Sequence, residues 1–150
     1  MLIILDEDSV RFSDSKLSNN VFAHVYLRCD SGECFPECGW DDFAQVVLSW
    51  WTDGATRFLK YGDEEIFRFM DGDFYFKIEG VLHKDVQISW FEKSKIIKTQ
   101  QLDFSQFVSS LLVAGNKLAR KLQEIEVDKK ITDDFVRCQN NLRKLLKSQI

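Results

Sequence analysis

The chain has 150 residues, of which 45% are hydrophobic and 29% charged, with a single proline. This composition excludes a disordered or low-complexity chain, and no segment approaches the ~20 apolar residues of a membrane-spanning helix. The start of the chain has neither the basic residues nor the long apolar run of a signal peptide, so we expect a cytoplasmic protein. The length predicts one domain over residues 1–150.

The net charge of −4 conceals an uneven distribution. Residues 1–79 contain 16 Asp and Glu against 7 Lys and Arg, a net charge of −9, whereas residues 80–150 contain 8 against 13, a net charge of +5. An acidic surface repels nucleic acid and attracts a basic protein partner. The alternative is that these acids are solvated loop residues without a partner.

The first clear element is a strand over residues 21–29, where apolar residues alternate with larger or polar ones. Val21 and Val25 share its core side, and His24 lies on the other. Because no Ser, Cys or Asp at matching spacing gives His24 a partner, we interpret it as a hydrogen-bonded sheet histidine and not as a catalytic base.

The cysteines do not form a metal motif. They are Cys29, Cys34, Cys38 and Cys138. The first three follow a C-x4-C-x3-C spacing that is not typical of zinc sites, and neither His24 nor His83 joins a cluster of ligand residues. We therefore predict no metal, no cofactor and free thiols in a reducing compartment.

A helix is predicted over about 41–59. Asp41 is a suitable N-cap, Asp42 would lie in the first turn, and apolar residues recur at helical intervals from Phe43 onward. Trp50 and Trp51 fall on this broad apolar stripe, so we expect both in the core in preference to a stacking platform.

Two hairpins follow. Asp71-Gly72 has the composition of a type I′ turn, and the resulting register places Phe67 opposite Phe76 on the core side. Arg68 and Tyr75 are opposite each other on the other face, where a cation–π contact is expected. A second hairpin is predicted from residues 85–91 and 96–101, which implies an antiparallel sheet.

The C-terminal third predicts two helices. The first covers about 103–126 and begins with Asp103 as its cap, while the second covers about 132–148 with Asp133 and Asp134 in its first turn. Basic residues on the last helix match the preference of helix C-termini for cations, so no nucleic-acid partner is inferred. The sequence thus predicts a single α+β domain with one antiparallel sheet of about five to six strands, one inserted helix and two C-terminal helices.

Part of the chain resembles a known class of bacterial proteins. Phe35-Pro36, the run Gly39-Trp40-Asp41-Asp42-Phe43, Trp50-Trp51 and residues 67–74 are similar to segments of small immunity proteins of polymorphic toxin and contact-dependent growth inhibition systems. The resemblance covers about a quarter of the chain, and such proteins occur on many folds. It implies a non-catalytic inhibitor that binds one cognate toxin domain in the cytoplasm.

The acidic half of the chain suggests how such binding would occur. A toxin that cuts nucleic acid needs a basic surface, and an acidic face could dock there and block the substrate. Trp40 and Tyr61 are the expected exposed anchors. The predicted partner-binding residues are Asp30, Glu33, Glu37, Trp40, Asp53, Tyr61, Asp63 and Glu64.

Two other classes of function stay open. The chain could be an uncharacterised hydrolase-like enzyme in which carboxylates converge around His24 or His83. It could also be a small-ligand-binding regulatory module that uses an apolar cavity beside the tryptophan helix.

Overall fold

The structure is a computed structural model that describes residues 1–12, 20–82, 84–125 and 128–149. His83, considered above as a possible catalytic base, lies outside these ranges. The described residues form β1 (Leu2–Phe12), β2 (Val21–Arg28), β3 (Cys34–Phe35), β4 (Asp41–Asp42), α1 (Ala44–Tyr61), β5 (Asp63–Arg68), β6 (Phe74–Val81), β7 (Asp85–Glu92), β8 (Lys95–Gln101), α2 (Phe104–Glu124) and α3 (Lys129–Ser148). The predicted α+β class is confirmed. Within the described part of the chain, none of the helices is long and apolar enough to cross a lipid bilayer.

The strands form two antiparallel sheets, so the prediction of one sheet of five to six strands is wrong. Sheet A contains β1, β2 and β3 in that order, with β4 also paired to β2, and sheet B has the order β5-β6-β7-β8. Helix α1 separates the strands of sheet A from those of sheet B along the chain. The strands β3 and β4 have two residues each, too few to show an alternating pattern in the sequence.

The predicted register of the first hairpin is confirmed. Phe67 pairs with Phe76 and Arg68 with Tyr75, and the guanidinium carbon of Arg68 lies 4.9 Å from the centre of the Tyr75 ring. The first strand of this hairpin begins at Asp63. The second hairpin, β7 and β8, is also confirmed.

The predicted start of the first helix is wrong. Asp41 and Asp42 form β4, which pairs with Ala23 and His24 of β2. Helix α1 begins after Phe43, and no side chain caps it. A pair of acids before an apolar helix is typical of a helix N-terminus, but here the two aspartates pair with β2 as a strand and the helix begins after them.

The other two helices begin with an aspartate. The carboxylate of Asp103 accepts a hydrogen bond from the Gln106 amide at 3.1 Å, as predicted for an N-cap. Helix α3 begins at Lys129, before the predicted start, because Asp128 accepts a hydrogen bond from the Lys130 amide at 2.8 Å. Asp133 therefore lies beyond the first turn.

Side chains from both sheets and all three helices pack in one cluster of buried residues. Trp51 is fully buried and lies edge-on to Phe69 and Phe76, at ring-centre distances of 5.0 and 5.1 Å. Trp50, which was also expected in the core, is 45% exposed. Adjacent residues of a helix point about 100° apart, so one tryptophan faces the core and the next faces outward.

Two of the cysteines form a disulfide, contrary to the prediction of free thiols. Cys34 and Cys38 are joined across a short turn with their Cα atoms 5.0 Å apart. Cys29 and Cys138 are free, and burial raises the pKa of the Cys29 thiol. The bridge closes the loop that leads from β3 to β4.

Candidate partner-binding surface

An exposed stripe runs along α1 on the side away from the core. Its residues are Trp50, Asp53, Arg57 and Tyr61, spaced three, four and four residues apart, and all are exposed. Trp50 is 45% and Tyr61 80% exposed. With a rise of 1.5 Å per residue, the two aromatic side chains begin about 16 Å apart on one face of the helix.

A groove separates this stripe from β5, the edge strand of sheet B. Gly54 allows the close approach of α1, because a Cβ at that position would lie 2.8 Å from Cε1 of Phe67. Ile66 is 41% exposed on the opposite wall. The groove holds a cavity of about 260 Å³ lined by Trp50, Trp51, Asp53, Arg57, Ile66, Phe67 and Arg68. We call it the α1–β5 groove.

Some of the charged side chains beside the groove have ion-pair partners, and others have none among the described residues. The Arg57 guanidinium donates two hydrogen bonds to Glu65, at 2.8 and 3.2 Å, and this contact raises the pKa of Arg57. Glu64 lies 3.8 Å from the Lys77 ammonium. Among the described residues, Asp53 and Asp63 form no salt bridge, so their carboxylates remain available to a partner.

The structure divides the predicted binding residues into two groups. Asp53, Tyr61, Asp63 and Glu64 lie along α1 and the start of β5. Asp30, Glu33 and Glu37 lie in the loops that flank β3, and all three are exposed. The second group sits beside β8, since the Glu33 carboxylate accepts a hydrogen bond from the Lys98 ammonium at 2.6 Å.

The two groups are therefore on opposite edges of sheet B. Three strand spacings of about 4.8 Å separate β5 from β8, or roughly 14 Å. Glu33 is already paired with Lys98, and Asp30 lies 3.7 Å from the N-terminal ammonium. The acids of the first group carry fewer such contacts, which makes the α1–β5 side the better candidate surface.

Trp40 is packed within the fold, although it was expected as an exposed anchor. Its ring lies edge-on to Phe74 at 5.1 Å, and its indole N–H donates to Asp42 at 3.1 Å. Asp42 is buried and also accepts hydrogen bonds from the amides of Phe43, Met70 and Asp71, at 2.7, 3.2 and 3.2 Å. Desolvation raises the pKa of this carboxyl group.

His24 has neighbours that the sequence did not reveal. Its Nδ1 lies 3.8 Å from a carboxylate oxygen of Asp6 on β1, and it pairs across the sheet with Asp41 on β4. The Asp41 carboxylate accepts hydrogen bonds from the Arg11 guanidinium, which lower the pKa of Asp41. Residues on neighbouring strands meet in space without any fixed spacing in the sequence, so no local signal could have revealed this cluster.

A hydroxyl that lies beside this cluster is already bonded to backbone groups. The Ser9 hydroxyl donates to the carbonyl of Asp6 at 2.6 Å and accepts from the backbone amide of His24 at 2.7 Å. Both contacts are to backbone, so Ser9 stabilises the strand pairing. Over the described ranges, no three His, Cys, Asp or Glu side chains are grouped so that they could hold a metal ion.

The comparisons with known proteins do not assign a family. Neither the protein-family models, nor the curated proteins, nor the solved structures contain a match to this chain. The function is therefore inferred from the surface itself. Trp50, Ile66 and Arg68, which the sequence analysis did not include in the site, belong to it. The polar residues at positions three and seven after Trp50 are the signal that would have placed this tryptophan on an exposed face.

Proposed function

We propose that this is a non-catalytic immunity-type protein that binds a cognate bacterial toxin domain and blocks its active or substrate-binding site. The supporting observation is the α1–β5 groove, where Trp50 and Ile66 are both exposed and line the cavity, together with Tyr61, which is exposed further along the same stripe of α1. Exposed aromatic side chains beside a groove are typical of the few residues that supply most of the binding energy at interfaces.

The charges favour a basic partner. Asp53 lines the groove and Asp63 and Glu64 lie at the start of β5, and a toxin that acts on nucleic acid must present a cationic surface to its substrate. Carboxylates that occupy this surface would accelerate association at low salt and exclude the substrate. The groove would supply apolar contacts to the partner, and the acids would orient the partner as it approaches.

We place this function in the bacterial cytoplasm, where the toxin would act. A reducing cytoplasm keeps most thiols free, so the Cys34–Cys38 pair would be reduced there. The bridge closes a loop that contacts the β8 side of sheet B and not the groove. Binding through the groove should therefore persist in the presence of a reductant.

The two alternatives have less support from the geometry. The Ser9 hydroxyl near His24 is occupied by backbone groups, which does not favour a hydrolase. The cavity beside Trp50 and Trp51 has a volume of about 260 Å³, below the ~300–1,000 Å³ that is usual for small-molecule sites. Three other cavities of about 380, 440 and 430 Å³ are larger, but none of these three is lined by a tryptophan.

The proposal is tested with the product of any toxin-like open reading frame found beside this gene. We expect a complex at low salt whose association rate falls as salt rises. A double charge reversal, Asp53→Lys with Asp63→Lys, should slow association at least ~10-fold by stopped-flow fluorescence, since rim charges act mainly on the association rate.

The matched control is Glu33→Lys with Glu37→Lys, which makes the same change of charge in the loops near β8. It should slow association much less than the first pair does. A toxin that does not bind at low salt would contradict the proposed function, and equal effects of the two pairs would contradict the choice of surface.

A further inference from the structure

We propose that the partner contributes an extended, basic segment that adds as a further strand to the free edge of β5. This inference rests on the proposed function and specifies how the partner occupies the α1–β5 groove. It is based on the direction of the backbone groups in β5.

The alternation of hydrogen bonds in the first hairpin fixes that direction. The amide of Phe69 donates to the carbonyl of Phe74 at 3.2 Å, so Phe69 and Phe67 direct their backbone groups toward β6. Ile66 and Arg68 then direct theirs away from β6. The indole N–H of Trp51 confirms this direction, because it donates to the Arg68 carbonyl at 2.9 Å.

The centre of this edge is open. Ile66 directs both its N–H and its C=O toward the groove, and Ile66, Phe67 and Arg68 line the cavity there. An added strand would bond to both groups of Ile66 and to the Arg68 N–H. Strand addition of this kind needs an unpaired edge next to pockets for alternate side chains, and Trp50 provides the wall of such a pocket.

The corresponding edge of sheet A is occupied differently. The outward amide of Ile3 on β1 donates to the Ser110 hydroxyl of α2 at 3.0 Å. A helix side chain thus satisfies this edge, which is a common protection against unwanted pairing. Ile66 has no comparable side-chain partner among the described residues.

The charges select the occupant. β5 begins with Asp63, Glu64 and Glu65, of which Glu65 is bonded to Arg57 and Glu64 lies near Lys77. Asp53 lies across the groove, which Arg68 also lines. Of these acids, Asp53 and Asp63 are the ones that lack a salt bridge among the described residues. Acids along an edge disfavour pairing with an acidic strand, including a second copy of β5, and they favour a strand with lysine or arginine side chains. We therefore identify the occupant as a basic extended segment of the partner.

The test uses a peptide as the probe, so that it does not depend on the toxin. An acetylated peptide of alternating lysine and valine is titrated into the ¹⁵N-labelled protein. The amide signals of Ile66 and Arg68 should shift, and the Ile66 amide should exchange more slowly with solvent. A fully N-methylated form of the peptide keeps the charge but cannot donate to the Ile66 carbonyl, and it should bind at least about 5- to 10-fold more weakly.

Two variants of Ile66 provide the matched comparison. Ile66→Thr keeps the outward N–H, and Ile66→Pro removes it without removing a bond to β6. Ile66→Pro should bind the peptide about 5- to 10-fold more weakly than Ile66→Thr, the effect of one hydrogen bond. If Ile66→Pro does not fold, the two peptides still decide the question.

Two results would overturn the inference: equal binding of both peptides, or no shift of the Ile66 amide at any peptide concentration. The same variants separate this inference from the proposed function. A toxin that binds Ile66→Pro and Ile66→Thr equally well contradicts strand addition and leaves the immunity function intact. A toxin that does not bind at all, while the peptide shifts the Ile66 amide, contradicts the immunity function alone.

Discussion

Replacement of Asp42 by alanine should destabilise the protein by about 2–3 kcal/mol, because its carboxylate accepts four hydrogen bonds. The donors are the Trp40 indole and the amides of Phe43, Met70 and Asp71. Met70 and Asp71 are exposed and can turn to water, so each loses about 0.5 kcal/mol, while the other two donors lose about 1–1.5 kcal/mol each. Loss of a buried charge returns part of this free energy.

Urea unfolding at neutral pH measures this effect, with the free energy of unfolding taken from the linear extrapolation. The matched control is Asp73→Ala, which removes an exposed carboxylate from the same hairpin and should change stability by less than ~0.5 kcal/mol. Hydrogen exchange should show faster opening at Met70 and Asp71 in Asp42→Ala alone. An Asp42→Ala variant as stable as the wild type would refute this account of how the hairpin is held to β4.

The remaining predictions concern pH, helix packing and the disulfide. Desolvation raises the folded-state pKa of Asp42 above its ordinary 3.8, so the contribution of this group to the free energy of unfolding falls as pH rises through that raised pKa. The stability of Asp42→Asn relative to wild type should therefore rise with pH in urea titrations. A stability difference that does not change with pH would contradict the direction of the shift. Gly115→Ala should lower the free energy of unfolding by about 2–3 kcal/mol in thermal or urea unfolding, since the new Cβ would lie 2.1 Å from Oε1 of Gln139. Gln139→Ala in the same chain should recover most of this loss. Additive effects of the two substitutions on the free energy of unfolding would show that the two residues do not clash. Reduction of the Cys34–Cys38 disulfide should lower the free energy of unfolding by about 2 kcal/mol, the chain-entropy value for such a short loop, and an unchanged urea midpoint in dithiothreitol would count against it.

Elements with strong local signals were predictable from the sequence. The register predicted from Asp71-Gly72 was correct for the pairs Phe67–Phe76 and Arg68–Tyr75, although Asp71 does not have the positive φ of a type I′ turn. Asp103 with Gln106 marked the start of α2. In each case a few consecutive residues determine the local backbone, so one sequence is sufficient.

Features that depend on distant contacts were not predictable. Asp42 has the residue type of a helix cap, but two of its four hydrogen bonds come from a hairpin nearly thirty residues later in the chain. The division into two sheets depends on β3 and β4, which are too short to show a periodic pattern.

The candidate site was predictable only in part. Asp53, Tyr61, Asp63 and Glu64 follow one another along α1 and into β5, and of these Asp53 lines the α1–β5 groove. Trp50 was assigned to the core, since hydrophobic periodicity does not resolve which of two adjacent tryptophans faces inward. The open backbone edge at Ile66 carries no signature in the side chains at all.

The most direct test of the central claim is the affinity for Trp50→Ala of a toxin domain that binds the wild-type protein, measured by isothermal titration calorimetry. The control is Val113→Ala on α2, which truncates an apolar side chain that is 54% exposed outside the α1–β5 groove. Loss of a central aromatic contact at an interface is worth about 2 kcal/mol or more, so Trp50→Ala should bind at least ~30-fold more weakly, and Val113→Ala should bind within ~3-fold of the wild type. Wild-type affinity in Trp50→Ala would contradict the claim that this groove is the binding surface.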